Sequence, residues 1–166
     1  MNKPRSLTAK DQIRTLREFE FATTMRVLKA YPEDKLDLRP AEKSRSAREL
    51  IRTFVAEELV CGAAMRGEPI LGVAGQSLPD DLTGVLDTFD RIHQEVQSLV
   101  AQAPDEALER VTDFYGHQIS VLEVLWAELL DQIHHRGQLS VYLRLAGARV
   151  PSIYGPTADE PAGTQN

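Results

Sequence analysis

The sequence predicts an all-α protein, a four-helix bundle with long crossover loops. Apolar residues recur every three or four positions through about three quarters of the chain, whereas sustained alternation of apolar and polar residues is nearly absent. A chain of 166 residues has the size of one domain. We therefore expect a single domain over residues 1–160, followed by a frayed tail over residues 161–166.

The first helix is predicted to begin after Thr8, whose hydroxyl can cap free backbone N–H groups, and to end near Tyr31, because Pro32 follows. The positions predicted to face the core are Ile13, Leu16, Phe19, Thr23, Val27 and Leu28. The polar segment over residues 32–46 comes next, and it is long enough to cross the end of a bundle.

The second helix is predicted to open with the capping-box pattern Ser46-Ala47-Arg48-Glu49, to run to about Arg66 and to stop at Gly67. Its inner face is predicted to hold Leu50, Phe54, Leu59 or Glu58, and Cys61. A linker over residues 67–79, rich in glycine and proline, follows this helix.

The third helix is predicted to begin at Asp80 or Asp81 and to end at Ala103, before Pro104. Its apolar positions follow the helical pattern closely: Leu82, Val85, Leu86, Phe89, Ile92, Val96, Leu99 and Val100. The stretch over residues 109–116 is predicted to be at most a short strand or an irregular loop.

The fourth helix, about Ile119 to Ala146, is predicted to be the longest, with Gly147 as its C-terminal cap. Its apolar positions are Ile119, Leu122, Trp126, Leu129, Ile133 and Val141. In the tail that follows, three apolar residues are predicted to anchor the first half on the bundle: Val150, Ile153 and Tyr154.

Composition and charge narrow the classes of function. The formal net charge is −6, so no global positive field attracts nucleic acid or anionic lipid. The first ten residues contain no apolar run, and no segment is apolar over the length that spans a bilayer. We therefore expect a cytoplasmic protein that binds neither nucleic acid nor membranes. The single cysteine, Cys61, excludes an intrachain disulfide and a zinc ribbon.

Four polar residues of the fourth helix have the spacing of a metal half-site. Glu128, Asp131, His135 and Gln138 are three, four and three residues apart, so they share one helix face. Two side chains at i and i+4 can bind one ion, with the remaining ligands supplied by another helix or by water. The same spacing also suits a surface ion pair between an acidic residue and a histidine, so both interpretations stay open here.

Two stretches of the chain resemble the DinB-like superfamily, the DinB/YfiT metalloenzymes. The segment His134-His135-Arg136-Gly137-Gln138, continued by Leu-Ser-Val-Tyr-Leu-Arg-Leu-Ala-Gly and by residues 150–156, is similar to the end of these proteins. Residues 24–50 are similar to the family's first helix and the linker after it. The resemblance implies a four-helix bundle of the DinB/YfiT type, usually dimeric, that holds a divalent metal, nickel or zinc, with three histidines.

The positions that this resemblance assigns to the metal ligands are Thr53, Asp131 and His135, of which His135 alone is a histidine. Asp131 is a competent oxygen ligand, whereas Thr53 is a poor one. Glu57 lies one turn beyond Thr53 and is long enough to reach the same cavity. The predicted metal site is therefore Asp131, His135 and Glu57, and the alternative for Glu57 is a helix-surface residue or the partner of an arginine.

The remaining polar residues of interest receive supporting roles. His93 is predicted to be a hydrogen-bonded core or boundary residue, His117 to lie at a helix entry, and His134 to be structural or at an interface, since it is about 100° around the helix from His135. Others are predicted to organise the site and the tail through hydrogen bonds or packing: Arg136, Gln138, Tyr142, Arg144 and Tyr154.

Two functions follow from the resemblance. The first is a metal-dependent thiol S-transferase or hydrolase-like enzyme, in which an open coordination position accepts a small-molecule thiol or a water. The second is a non-catalytic, dimeric ligand-binding or stress-associated module that has lost its metal, because two of the three ligand positions are not histidine. Both imply a homodimer.

Overall fold

Four long helices pack into a bundle in the computed structural model, which describes residues 7–71 and 77–162. They are α1 (Ala9–Lys29), α2 (Ala47–Arg66), α3 (Leu82–Gln102) and α5 (Val121–Leu145). Shorter elements join them: a 3-10 turn at Glu33–Lys35, the helix α4 (Asp105–Glu109), and the strands β1 (Val111–Phe114) and β2 (His117–Ser120). The predicted four-helix bundle is confirmed.

Side-chain caps fix where the bundle helices begin. In three of them a hydroxyl accepts a hydrogen bond from the third helical N–H, and the carboxylate at that position accepts one from the capping residue. These pairs are Thr8 with Asp11, Ser46 with Glu49, and Ser120 with Glu123. α3 begins with Asp81, one of the two predicted caps, and α2 ends at Gly67, whose φ of 75° is left-handed. The predicted ends of the first three bundle helices are thus confirmed to within about two residues.

A β-hairpin stands immediately before α5, where at most one short strand was expected. β1 and β2 pair antiparallel, with Val111 opposite Ser120 and Phe114 opposite His117. Both residues of the turn, Tyr115 and Gly116, have positive φ, at 51° and 89°, as in the tight turns that suit the twist of a hairpin. The prediction that His117 lies at a helix entry was therefore wrong, and the fourth bundle helix begins at Val121 rather than at Ile119.

The buried faces of α1 and α5 differ from the predicted ones. Phe19 is 55% exposed, and α1 instead buries Arg17 and Glu20, because each forms an ion pair inside the bundle. Of the apolar positions predicted to mark the inner face of the fourth helix, Leu129 is fully buried and Val141 is exposed. Since α5 is apolar on several sides, the spacing of its apolar residues did not determine which side turns inward.

The tail after α5 returns to the bundle. Val150 is buried, and its N–H donates to Asp159 Oδ2 at 2.8 Å, while the N–H of Ser152 donates to Glu160 Oε2 at 2.7 Å. The last four residues of the predicted frayed tail, 163–166, lie outside the described residues, as do residues 72–76 of the second predicted linker.

No helix in the described ranges is both long enough and apolar enough to cross a membrane.

Candidate metal centre

The three predicted metal ligands meet between α2 and α5. Glu57 projects from the middle of α2, and Asp131 and His135 lie one turn apart on α5. Glu57 Oε1 is 2.7 Å from His135 Nδ1, and the same nitrogen is 3.8 Å from Asp131 Oδ2. One candidate ligand atom from each residue lies within 4.8 Å of the other two. Glu57 and His135 are buried and Asp131 is exposed, so the cluster opens to solvent on one side.

The donor atoms of this cluster fit a divalent cation. Glu57 Oε2 is buried and has no hydrogen-bond partner among residues 7–71 and 77–162, which leaves one oxygen available to an ion. Tetrahedral bonds of about 2.0 Å place neighbouring ligand atoms about 3.3 Å apart. The observed separations of 2.7 and 3.8 Å lie on either side of this value. Two carboxylates and one imidazole form a mixed oxygen and nitrogen set that suits zinc, nickel or manganese.

Burial keeps two of these groups neutral when no cation is near. Desolvation, with a smaller effect from the charge of Asp131, raises the pKa of Glu57 to about 9. Desolvation also lowers the pKa of His135. At pH 7 a proton therefore lies on the contact between the Glu57 carboxyl and the His135 ring. A divalent cation would displace this proton, because a cation favours the carboxylate form.

Glu128 and Tyr115 extend the acidic side of the cluster. Glu128 is buried on α5, and desolvation followed by the charge of Glu57 raises its pKa to about 8. Tyr115, from the hairpin turn, is close enough that burial and the charges of Glu128, Asp131 and Glu57 raise the pKa of its phenol. The hairpin thus brings an aromatic hydroxyl to the acidic side, a placement that the sequence did not predict because it depends on the hairpin.

Thr53 binds an arginine rather than completing the cluster. Its hydroxyl donates to the carbonyl oxygen of Glu49 at 3.0 Å and accepts from Arg45 Nη1 at 3.1 Å. The position that the family resemblance assigns to a histidine is therefore engaged in another contact.

A buried polar network lies behind the cluster, and sequence reasoning missed it. The Glu58 carboxylate accepts from Arg17 at 2.7 Å and from Gln132 at 3.1 Å, and it lies 3.2 Å from His93 Nδ1. Burial alone would raise the pKa of Glu58, but the charge of Arg17 and the contacts with His93 and Gln132 hold it below its usual value. His93 is fully buried, as predicted for a core histidine. Because Glu58 and Gln132 are the chain neighbours of two cluster residues, this network fixes how α2 and α5 face each other.

Other predicted supporting residues stabilise the bundle away from the cluster. Arg136 forms an ion pair with Glu20 at 2.6 Å and donates to the hydroxyl of Tyr154, so it joins α5 to α1 and to the tail. Gln138 Nε2 lies 2.8 Å from His134 Nε2. Its amide therefore contacts the exposed histidine one turn earlier on the same helix, which is not one of the three candidate metal ligands.

The fold and this cluster define a class: a four-helix bundle with a candidate divalent-metal site between two of its helices. The model of the DinB family matches residues 15–166. The chain belongs to the DinB family.

Similar proteins of known sequence or structure agree with this assignment. The uncharacterized protein YrdA of Bacillus subtilis is 40% identical over 75 residues, which are 43% of this chain and 45% of that protein. The match thus spans less than half the length of this curated relative. Among solved structures, the DinB-like protein YjoA of Bacillus subtilis has a TM-score of 0.70 at 22% identity and covers 86% of this chain and 96% of its own.

Two further structures share the fold at lower identity. YfiT of Bacillus subtilis, "a probable metal-dependent hydrolase with an unusual four-helix bundle topology", has a TM-score of 0.64 at 16% identity, with 88% of this chain and 94% of its own covered. A mycothiol-dependent maleylpyruvate isomerase has a TM-score of 0.63 at 12% identity, with 80% of this chain and 61% of its own covered.

Proposed function

We propose that this protein is a metal-dependent enzyme whose divalent cation is held by Glu57, Asp131 and His135. One observation carries the proposal: three ligand atoms converge within 4.8 Å, at a site where one buried Glu57 oxygen has no hydrogen-bond partner in the described part of the chain. The similarity to YfiT, a probable metal-dependent hydrolase, supports the proposal. Nickel and zinc are the metals that we propose, since both accept imidazole and carboxylate ligands.

When bound by these residues, a divalent cation would supply a nucleophile at neutral pH, because it would lower the pKa of a water or a thiol. Glu57 and His135 form the buried wall of the site, and exposed Asp131 closes its outer edge incompletely. A small molecule can therefore approach from the solvent side. This arrangement suits hydrolysis by water, or S-transfer from a small-molecule thiol to an electrophile. The similarity to a mycothiol-dependent isomerase supports the thiol reaction.

Metal analysis tests this function directly. The protein is purified without a metal-affinity tag, dialysed against nickel or zinc and then against buffer, and its metal content is measured by mass spectrometry. We expect the wild type to retain metal and His135→Ala and Glu57→Gln to lose it. His134→Ala is the matched control, because His134 is the exposed neighbour of His135. A wild type without metal, or equal loss in His134→Ala, would contradict the proposal.

A second function is favoured by the contacts of Thr53. Because its hydroxyl is engaged with Arg45 and Glu49, one family ligand position provides no ligand, as expected of a non-catalytic ligand-binding or stress-associated module. Metal-free wild type in the analysis above would support this alternative.

We also propose that the protein is a cytoplasmic homodimer. Leu130 and Leu145 are exposed on α5, and exposed apolar side chains on a long helix favour an interface. Light scattering at roughly tens of micromolar protein should give the mass of a dimer. A monomer at that concentration would contradict this proposal.

A further inference from the structure

A groove borders the candidate metal centre, because His135 belongs to the cluster and also lines the groove. It has a volume of about 560 Å³, which suits a small molecule. The polar side chains that line it are Ser44, Arg45, His134, His135, Gln138 and Tyr142. None of its lining residues is aspartate or glutamate, although the chain as a whole has a net charge of −6. The groove therefore presents hydrogen-bond donors and a cation and lacks anionic side chains.

Arg45 is held at both ends. Its backbone carbonyl accepts a hydrogen bond from the Tyr142 hydroxyl at 2.9 Å, and its guanidinium donates to Thr53 Oγ1 at 3.1 Å. The Thr53 hydroxyl gives its own proton to the Glu49 carbonyl, so its lone pairs are free to receive the guanidinium. The long arginine side chain is thereby oriented before any ligand arrives, which reduces the entropy lost on binding.

The guanidinium nevertheless has no ionic partner among the residues that the structure describes. No carboxylate of residues 7–71 or 77–162 forms an ion pair with Arg45, and the hydrogen bond to Thr53 uses one of its five N–H donors. Arg45 and the candidate metal ligand His135 both line this groove. The groove thus brings an oriented cation and the candidate metal ligand His135 to one surface.

We propose that this groove binds the carboxylate of a small organic acid and that the guanidinium of Arg45 recognises it. A planar guanidinium matches a carboxylate through two parallel hydrogen bonds. A single arginine without a lysine or a second arginine in the lining fits a monoanionic carboxylate better than a dianionic phosphate. The other end of the acid would face His135, and this part of the inference rests on the proposed function. Carboxylate recognition itself requires no metal.

Calorimetric titration at fixed ionic strength tests the inference with matched probes. The first probe is 3-mercaptopropionate, which carries a thiol and a carboxylate, and the second is its neutral methyl ester. The same comparison is then made on metal-free protein with propionate and methyl propionate, which lack the thiol. We expect each acid to bind about tenfold tighter than its ester, as for one hydrogen-bonded charge pair.

Variants identify the group responsible. Arg45→Gln should abolish the preference for the acid, and Thr53→Val, which keeps the guanidinium and removes its anchor, should reduce it. Lys43→Gln is the matched control. Lys43 lies two residues before Arg45 in the chain and does not line the groove, so this change removes one positive charge without altering the groove. Arg45→Lys keeps the positive charge but lacks the planar guanidinium, so it should retain part of the preference for the acid. If Arg45→Gln fails to fold, Arg45→Lys provides the test of the guanidinium instead.

The outcomes separate this inference from the proposed function. If metal-free wild type prefers propionate through Arg45 while metal never binds, the proposed function fails and the carboxylate groove stands. If metal binds but Arg45→Gln keeps the preference, or Lys43→Gln abolishes it equally, the groove inference is overturned. Tighter binding of inorganic phosphate than of propionate would also overturn it.

Discussion

Replacing Arg17 with methionine should destabilise the bundle by about 3 kcal/mol. The Arg17 and Glu58 side chains are each 1% exposed, and Arg17 Nη2 lies 2.7 Å from Glu58 Oε2. Removing one member of such a pair leaves a buried charge without its partner, which typically costs roughly 3 to 5 kcal/mol. Gln132 still donates to Glu58 and His93 still contacts it, so we expect the lower end of this range.

Urea unfolding at pH 7 in the presence of a chelator measures this loss from the shift of the midpoint at constant slope. The control is Arg14→Met, because Arg14 is exposed on the same helix and its loss should change stability by less than about 0.5 kcal/mol. The double variant Arg17→Met with Glu58→Leu removes both charges and should recover most of the stability. A loss below about 1 kcal/mol in Arg17→Met, or a double variant no more stable than the single one, would refute the reasoning.

Three further predictions concern the tail, a helix cap and pH. Tyr154→Phe removes a hydroxyl that donates to Glu20 and accepts from Arg136, so the free energy of unfolding in urea should fall by about 1 to 2 kcal/mol. An unchanged urea midpoint would contradict this anchoring of the tail. Ser120→Ala removes the cap of α5 and should cost about 1 kcal/mol in thermal unfolding, and a change near zero would argue against the cap. In metal-free protein, the pKa of Glu57 rises from 4.5 to about 9 on folding, so the folded state binds more protons and this contribution to stability decreases as pH rises between those values. Wild type should therefore lose stability relative to Glu57→Gln between pH 6 and pH 9, and parallel profiles would contradict the shift.

The helix boundaries could be predicted from the sequence because their signals are local. The Thr8 cap and the Ser46 capping box form as expected, and Asp11 completes a second capping box with Thr8. Gly67 ends α2 because glycine adopts the left-handed conformation without strain. These interactions involve residues within one turn of each other, so no knowledge of the tertiary structure was needed.

The buried ion pairs could not be predicted because their partners are far apart in the chain. Arg17 contacts Glu58 across 41 positions, and Glu20 pairs with Arg136. A prediction from apolar periodicity places charged residues on the solvent-facing side of a helix. It therefore placed Phe19 in the core and left Arg17 and Glu20 outside it. The position of a charged side chain inside a bundle depends on whether another helix supplies its partner.

The candidate metal centre was predictable in part. The spacing of Asp131 and His135 placed both on one face of a helix, and the family resemblance brought Glu57 toward them. The burial of Glu57 and its shared proton with His135 depend on how closely α2 and α5 pack, which spacing does not report. The engagement of Thr53 by Arg45 also escaped prediction, because Arg45 lies in the linker before α2.

On each of α2 and α5, one residue faces the candidate metal centre and the next residue in the chain faces the core. Glu57 and Asp131 point toward the candidate metal centre, while their chain neighbours Glu58 and Gln132 bond to each other in the core. Successive helical side chains are about 100° apart, so a rotation that moved one member of each pair would displace the other. Arg17 neutralises Glu58 and thereby lets the core hold this second carboxylate close behind the first. The geometry of the candidate centre therefore depends on an ion pair that contributes no candidate ligand, which makes Arg17 as much a determinant of the site as the residues that line it.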